Sequence, residues 1–419
     1  MSAPAIGDRA DIAHPATYAE AVPHATFARM RREAAVHWTP EPELVRRSSA
    51  GRTVHRGSGY WAVVSHEAVT EAAKRPQDFS SAAKGAFLAD PRTPAELEQA
   101  RQLLVNMDAP QHTRIRRLVT AVFTPRAVQR LAASVQEHAR QVVARAVAAD
   151  ACDGVADIAA ELPLLVIADL LGLPRSDRAL LFGWGNQLVG FDDPEYGGGD
   201  VERYRRTFAE AFAYALALAA RRRAEPADDL SSVLANAEVD GRRLSDREFC
   251  NFWLLLVVAG NETTRHLIAN SLLALAERPA LRRRLADDPA GHPAAVEELL
   301  RWVSPVTQFR RTATRDTELA GRPIAAGDKV VLYYAAANRD PAVFADPDVL
   351  NAARDPNPHL AFGTGPHFCL GSHLVRLETR ALLAALRPHL PALRLRGAPV
   401  RLESSFVNGL KALPIRLAD

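Results

Sequence analysis

Cysteine is scarce in this chain of 419 residues: its three copies, Cys152, Cys250 and Cys369, stand far apart and form no C-x-x-C pair. That spacing argues against a disulfide framework or a zinc site and fits a reducing cytosol. Long apolar runs are missing as well. The longest, FWLLLVVAG from Phe252 to Gly260, reaches about half of the roughly 20 residues a membrane span requires, and the N-terminal MSAPAIGDRADIAHPATYAEA has no apolar signal-peptide core. Neither sign of charge dominates: the formal net charge is +3, with arginines balanced by Asp and Glu along the chain, so there is no nucleic-acid footprint. No G-x-G-x-x-G opens a βαβ unit and no cysteine set suits an iron–sulfur cluster, which leaves the chain without a flavin or cluster segment of its own. Internal repeats and long Pro-, Gly- or Ser-rich linkers are absent too. The expectation is a soluble, cytoplasmic protein with no membrane span and no nucleic-acid partner.

Apolar residues make up 48% and charged residues 24% of the chain, enough to bury a sizeable core. Helical periodicity with plausible starts and stops runs through PAELEQARQLLVN, HTRIRRLVTAVF, RAVQRLAASVQEHARQVVARAVA, VERYRRTFAEAFAYALALAARRRA, REFCNFWLLLVVAGNETTRHLIANSLLALAERP and AAVEELLRWV. Strand-like segments are short: GYWAVVS near the N-terminus, and RTATRDTELAGRPIAAGDKVVLYY after the last of those helices. The fold class is therefore mainly α with a small β component. Between two long helices, GFDDPEYGGGD carries Gly197, Gly198 and Gly199. Such a loop is expected to be mobile, as a surface connection or as a lid.

FGTGPHFCLG, residues 362 to 371, sets Cys369 among three glycines just ahead of a long amphipathic helix. Orphan N–H groups and the helix dipole at such a place favour negative charge, so the thiol should lean toward thiolate. A covalent nucleophile would need a base in reach, and His367 two residues away need not face the sulfur. A buried cysteine acting as a small hydrophobe is the plain alternative. It leaves the glycines unexplained, whereas an axial cysteine beneath a haem needs backbone to pass close under a large flat group, with N–H groups aimed at the sulfur.

The segment resembles the signature of the cytochrome P450 haem-thiolate monooxygenases, F-x-x-G-x-[R/H]-x-C-x-G, at every fixed position: Phe362, Gly365, His367, Cys369 and Gly371. Further motifs extend the resemblance from about GYWAVVS to the C-terminus, within the soluble bacterial branch. It implies one P450 domain over residues 1–419, a helical globule enclosing haem b with Cys369 as the iron's axial ligand. AGNETT, Ala259 to Thr264, lies mid-way along the most apolar helix, where polar groups and a glycine cost free energy unless compensated. By the resemblance it crosses the distal face, with Glu262 and Thr263 delivering protons to dioxygen. On residue type alone, Thr263 could bond back to a carbonyl and Glu262 could be solvated. EELLR places Glu298 and Arg301 on one helix face. The resemblance adds Arg354 and makes the three a structural support for the cysteine loop.

Haem propionates need cationic or hydrogen-bonding partners, and by family position these are His112, Arg116, Arg311 and His367, with Arg310 replacing Arg311 if the register slips by one. Arg114 and Arg117 would point away and could meet an acidic electron-transfer partner. The pocket wall is expected from Leu255, Val258 and Ala259, then Val306, Thr307 and Phe309, then Phe406 and Val407. Several stretches look like the actinobacterial subgroup that hydroxylates sterol side chains and branched isoprenoid chains, so the substrate class is an apolar terpenoid, steroid or polyketide. Dioxygen is the oxidant, and electrons are expected from ferredoxin and an NAD(P)H-dependent ferredoxin reductase. The alternatives are a P450 that couples, rearranges or uses peroxide, a haem-binding sensor with no use for Glu262 and Thr263, and a thiol hydrolase that would not be red.

Overall fold

The computed structural model describes residues 10–149, 151–239 and 241–418; the first nine residues of the stretch read above as lacking a signal peptide lie outside them. The helices that enclose the site are α1 (Gln111–Thr120), α2 (Ala132–Ala148), α3 (Glu161–Leu171), α4 (Arg178–Val189), α5 (Val201–Ala224), α6 (Asp246–Ala276), α7 (His292–Val303) and α8 (Ser372–Leu386). Ser245 starts α6 with a reciprocal cap: its hydroxyl accepts from the Glu248 N–H at 3.2 Å, and the Glu248 carboxylate accepts from the Ser245 N–H at 2.9 Å. Two donors that the first turn would leave orphaned are thereby satisfied. The 31 residues that follow are buried on nearly every side through most of their length, as in a helix wrapped by others. One core cluster joins Val142 of α2, Leu165 of α3, Leu218 of α5, Trp253 of α6 and Leu382 of α8.

The minor β component gathers beside the helices. Of strands β1 (Val36–Thr39), β2 (Leu44–Ser48), β3 (Gly51–His55), β4 (Tyr60–Val63), β5 (Phe79–Ser80), β6 (Gln308–Ala313) and β7 (Lys329–Tyr333), five form one sheet in the order β1-β4-β7-β6-β5. Its centre, β7, runs parallel to β4 (Val330 opposite Trp61) and antiparallel to β6 (Val330 opposite Arg311). β2 and β3 stand outside this sheet as a separate hairpin, one the sequence did not announce because arginines interrupt its apolar pattern.

The loop with three glycines is pinned, contrary to the mobility expected of it. Asp193 is fully buried and holds the loop from within, accepting the backbone N–H groups of Glu195 (2.9 Å) and Tyr196 (3.2 Å). It also accepts Glu403 N–H (3.0 Å) and pairs with Lys411 (3.1 Å), which ties the loop to the C-terminal segment. From the other side Arg46 of β2 pairs with Asp192, and the Arg47 N–H donates to the Gly199 carbonyl at 2.8 Å.

Candidate functional site

α6 is buried except along one strip. Between Phe249 and Leu272 only Leu255, Val258, Ala259, Gly260 and Thr263 keep open surface, and 255, 259 and 263 recur at the four-residue step of a single helix face. An open strip in the middle of a surrounded helix borders a hollow. Thr263 Oγ1 donates to the Ala259 carbonyl at 2.8 Å, the back-bond foreseen as its plain alternative, yet its oxygen lies on that strip. Gly260 is accounted for by packing: a Cβ there would meet Ile167 of α3 at 3.3 Å.

Glu262 points elsewhere and is not solvated. It is 1% exposed and paired with Arg265 one turn on, and Asn261 Nδ2 donates to its Oε1 at 3.0 Å. His266 Nε2 lies 3.8 Å from its Oε2. Helix α4 closes over this carboxylate: a Cβ on Gly185 would collide with it, and Arg265 Nη1 donates to Asn186 Oδ1 at 2.7 Å. Burial raises the Glu262 pKa and Arg265 opposes the rise only in part.

Ahead of α8, a 3₁₀ turn at Gly365–His367 delivers Cys369, whose N–H donates to the Phe362 carbonyl at 2.9 Å. Gly365 needs to be glycine twice over, with φ at +72° and the Ala73 carbonyl where a Cβ would stand. Gly371 is different: its φ is −82°, and a Cβ there would meet nothing within 4 Å. The loop thus leaves a cradle that a large flat group can fill. Phe362 anchors it with Arg376 stacked 4.5 Å over the ring. The expected lean toward thiolate needs correction, because α8 begins only at Ser372 and burial pushes the Cys369 thiol up against the Gly371 N–H, Arg116 and Arg376. A cation bound at the sulfur would favour its anionic form.

Four cationic or titratable groups meet beside this loop. The His112 and His367 rings lie 4.3 Å apart, with Arg116 and Arg311 close to both. Burial, then Arg311, His112 and Arg116, hold His367 down at about 2. His112 is lowered by burial and Arg116, and its Nε2 is buried without a partner. Arg116 donates to the Phe368 carbonyl (2.6 Å) and Arg311 to the Arg310 carbonyl (2.7 Å); neither pairs with a carboxylate among the described residues. A nook that sets the buried Arg311 and the half-buried Arg116 side by side without acids is built for an outside anion. Arg310, next along the strand and so on its other face, is already matched by Asp90 at 2.7 Å, which leaves Arg311 for the nook. Arg114 is likewise matched, by Glu248 at 2.7 Å, whereas Arg117 is exposed.

A second apolar wall comes from three rings. Phe309 and Phe406 have centroids 5.4 Å apart, and Phe87 lies 5.1 Å from Phe406 and 6.2 Å from Phe309. Phe87 was not foreseen; it lies in the loop KGAFLADP, whose local sequence does not mark it. Val306 is half-buried, but Val407, bridged to Val306 through backbone, is 1% exposed and has no open face, so it supports the wall rather than lining it. Thr307 is similarly withdrawn, its hydroxyl given to the carbonyls of Ser405 and Phe406.

The support beneath the cysteine loop is a buried carboxylate shared by two arginines. Arg301 grips Glu298 with two bonds of 2.8 Å, and Arg354 Nε adds one of 3.1 Å. Arg301 also donates to the Asn338 carbonyl (2.8 Å), and the Asn338 side chain accepts the Leu360 N–H (2.6 Å) two residues before Phe362. Beside them, burial works against the charge on Glu297, but His359 and Arg376 outweigh it and hold its pKa at about 2.

The family model described as Cytochrome P450 matches residues 292–387. The chain is 43% identical over 394 residues, 93% of its length and 90% of the relative's, to a methyl-branched lipid omega-hydroxylase of Mycobacterium tuberculosis. It is 40% identical over 410 residues, 96% of its length and 91% of the relative's, to a steroid C26-monooxygenase of the same species. A solved Mycobacterium marinum cytochrome P450 in complex with pseudoionone superposes with a TM-score of 0.89 at 37% identity, covering 98% of this chain and 99% of that one. No helix among the described residues is long and apolar enough to cross a membrane.

Proposed function

The chain belongs to the cytochrome P450 family and is a haem-thiolate monooxygenase of apolar substrates, and from that premise we propose that it hydroxylates the end of a branched aliphatic chain on a steroid or a methyl-branched lipid. In the same reading residues 1–419 act as one domain in the cytoplasm, with ferredoxin and an NAD(P)H-dependent ferredoxin reductase as the external electron source. The observation that carries the substrate reading is the lining: Leu255, Val258 and Ala259 on one wall and Phe87, Phe309 and Phe406 on the other are all apolar, so nothing in them rewards a polar substrate. The relatives' names, omega-hydroxylase and C26-monooxygenase, both place the oxidation at a chain end.

Haem b, when bound, supplies the reduction of dioxygen and the transfer of one oxygen atom to a C–H bond. Cys369 Sγ would hold its iron, with the Gly371 N–H, Arg116 and Arg376 favouring the anionic sulfur. Arg116 and Arg311, together with His112 and His367, would hold the two propionates, whose negative charge is the countercharge the nook lacks. Thr263 Oγ1 sits on the open strip, where it can exchange its bond to Ala259 for one to oxygen in the hollow and pass a proton there. Glu262, behind it, takes protons from the polar interior formed by Asn261, Arg265 and His266. Burial raises the Glu262 pKa, which favours its protonated form and so suits the carboxyl to carry a proton.

The test is a substrate-induced spin-shift screen over steroids and methyl-branched lipids, followed by turnover with ferredoxin and its reductase and by product analysis. A terminal hydroxyl is the expected product. Tight binding confined to polar compounds, or oxidation of ring carbons alone, would overturn the proposal.

A further inference from the structure

The β2–β3 hairpin has two unlike faces. Its inner face is spoken for: Arg46 pairs with Asp192 and lies 4.9 Å over the Phe191 ring, and nearby Ser49 Oγ donates to Glu202 of α5 at 3.0 Å. Its outer face is bare. Val45 stands opposite Val54 and Arg47 opposite Arg52, and cross-strand partners two residues apart share a side of the ribbon. Val45 and Val54 are 38% and 52% exposed, and both arginines are exposed as well. Below them Arg56 has Glu43 at 2.6 Å, whereas neither Arg47 nor Arg52 pairs with a carboxylate among the described residues.

Like charges directly opposite one another destabilise a ribbon, and two strands alone are marginal in water. This hairpin nevertheless sets two guanidiniums face to face and adds an open valine pair. On α5 nearby, Tyr204, packed 5.4 Å from Phe191, is 38% exposed, and of the two exposed arginines beside it Arg205 lies 3.8 Å from Glu96. An arrangement that costs stability in the free protein is relieved when anions screen the arginines and an apolar phase takes up the valines. We propose that this outer face docks on an anionic lipid surface. The inner face grips the 190–200 loop, which Asp193 joins to the segment carrying Phe406, so docking would set the hollow's cover against the phase in which an apolar substrate dissolves. The choice of lipid over an acidic protein rests on that reading of the substrate.

The experiment is co-sedimentation of the haem-loaded protein with vesicles of phosphatidylcholine alone or mixed with phosphatidylglycerol, at low and high salt. Binding is expected only to the anionic vesicles and should weaken with salt. Arg47→Gln with Arg52→Gln should weaken it about 25-fold, roughly five-fold per guanidinium. Val45→Ser with Val54→Ser should weaken it several-fold at every salt concentration. Arg52→Glu sets an acid opposite Arg47, so its Tm should hold or rise while vesicle binding falls, which separates docking from folding. Equal binding to both vesicle types, no binding to either, or wild-type binding by either double variant overturns the proposal. So does salt-sensitive binding of these arginines to ferredoxin without vesicle binding, which would assign the face to an acidic protein. Because the vesicles hold no substrate, a failed spin-shift screen would sink the substrate reading and leave this result to stand or fall alone.

Discussion

Glu262 and Thr263 are neighbours in sequence, yet the structure gives them opposite surroundings, and their substitution should separate stability from coupling. Glu262→Gln leaves the Arg265 guanidinium 1% exposed without its counter-ion. Breaking a buried pair from one side costs about 3–5 kcal/mol, and the lower end applies because burial already raises the Glu262 pKa. At about 2.1 cal/mol/K of unfolding entropy per residue, ~3 kcal/mol lowers the Tm of a chain this long by about 3–4 °C. Thr263→Ala removes a hydroxyl bonded within its own helix and half open to the hollow, and alanine is the better helix former; its net effect should stay within about 1 kcal/mol. In turnover the order reverses. With its redox partners, Thr263→Ala should consume oxygen at near the normal rate but release mostly hydrogen peroxide, since the proton carrier facing the hollow is gone. Glu262→Gln should consume oxygen slowly with a larger solvent isotope effect, since the supply behind that carrier is throttled. Oxygen uptake, peroxide yield, product and Tm measured on both variants decide the matter. Tightly coupled wild-type turnover in both would reduce AGNETT to helix packing and refute the assignment.

Cys369→Ser should lose the thiolate absorption of the reduced carbon monoxide complex together with monooxygenation, and full activity in that variant would remove Cys369 as the axial donor. Arg311→Leu should lower haem retention in a dilution assay, whereas Arg310→Leu should lower Tm by leaving Asp90 short of a partner while haem retention holds; the reverse pattern would move the propionate contact to Arg310. The purified chain should not oxidise substrate with NAD(P)H and dioxygen alone, and turnover without added partners would reveal a redox group unread in this sequence. Burial pushes Glu378, one of whose oxygens has no partner, up to about 8 from an ordinary 4.5. The folded chain then keeps a proton that the unfolded chain releases, so stability falls as pH rises from about 4.5 toward 8. Glu378→Gln should remove that loss, and its advantage in urea unfolding should be larger at pH 8 than at pH 5 by on the order of 3 kcal/mol.

What could be read without coordinates was what a helix period or a fixed chemistry constrains. Leu255, Val258, Ala259 and Thr263 could be grouped because 3.6 residues per turn decides which side chains of α6 share a face, and the mainly helical class followed from the same period. The choice between Arg310 and Arg311 stayed open because a period of two says that they face apart but not which one faces in; that is decided by Asp90, 220 positions from Arg310 in the chain. The loop at 190–200 failed for a related reason. Its three glycines report local freedom, while its rigidity comes from one buried carboxylate, Asp193, whose partners Glu403 and Lys411 lie at the far end of the chain. The Cys369 thiol was misjudged in the same way, since helix-terminal N–H groups are a local feature and desolvation is not. Phe87 and the bare arginines of the hairpin carry no local signal of use, and the fold alone sets the one against Phe309 and Phe406 and the others face to face. In each case the error falls where a distant partner, rather than the neighbouring sequence, decides what a side chain does, and polar loops that border a hollow or an outer face are where such partners gather.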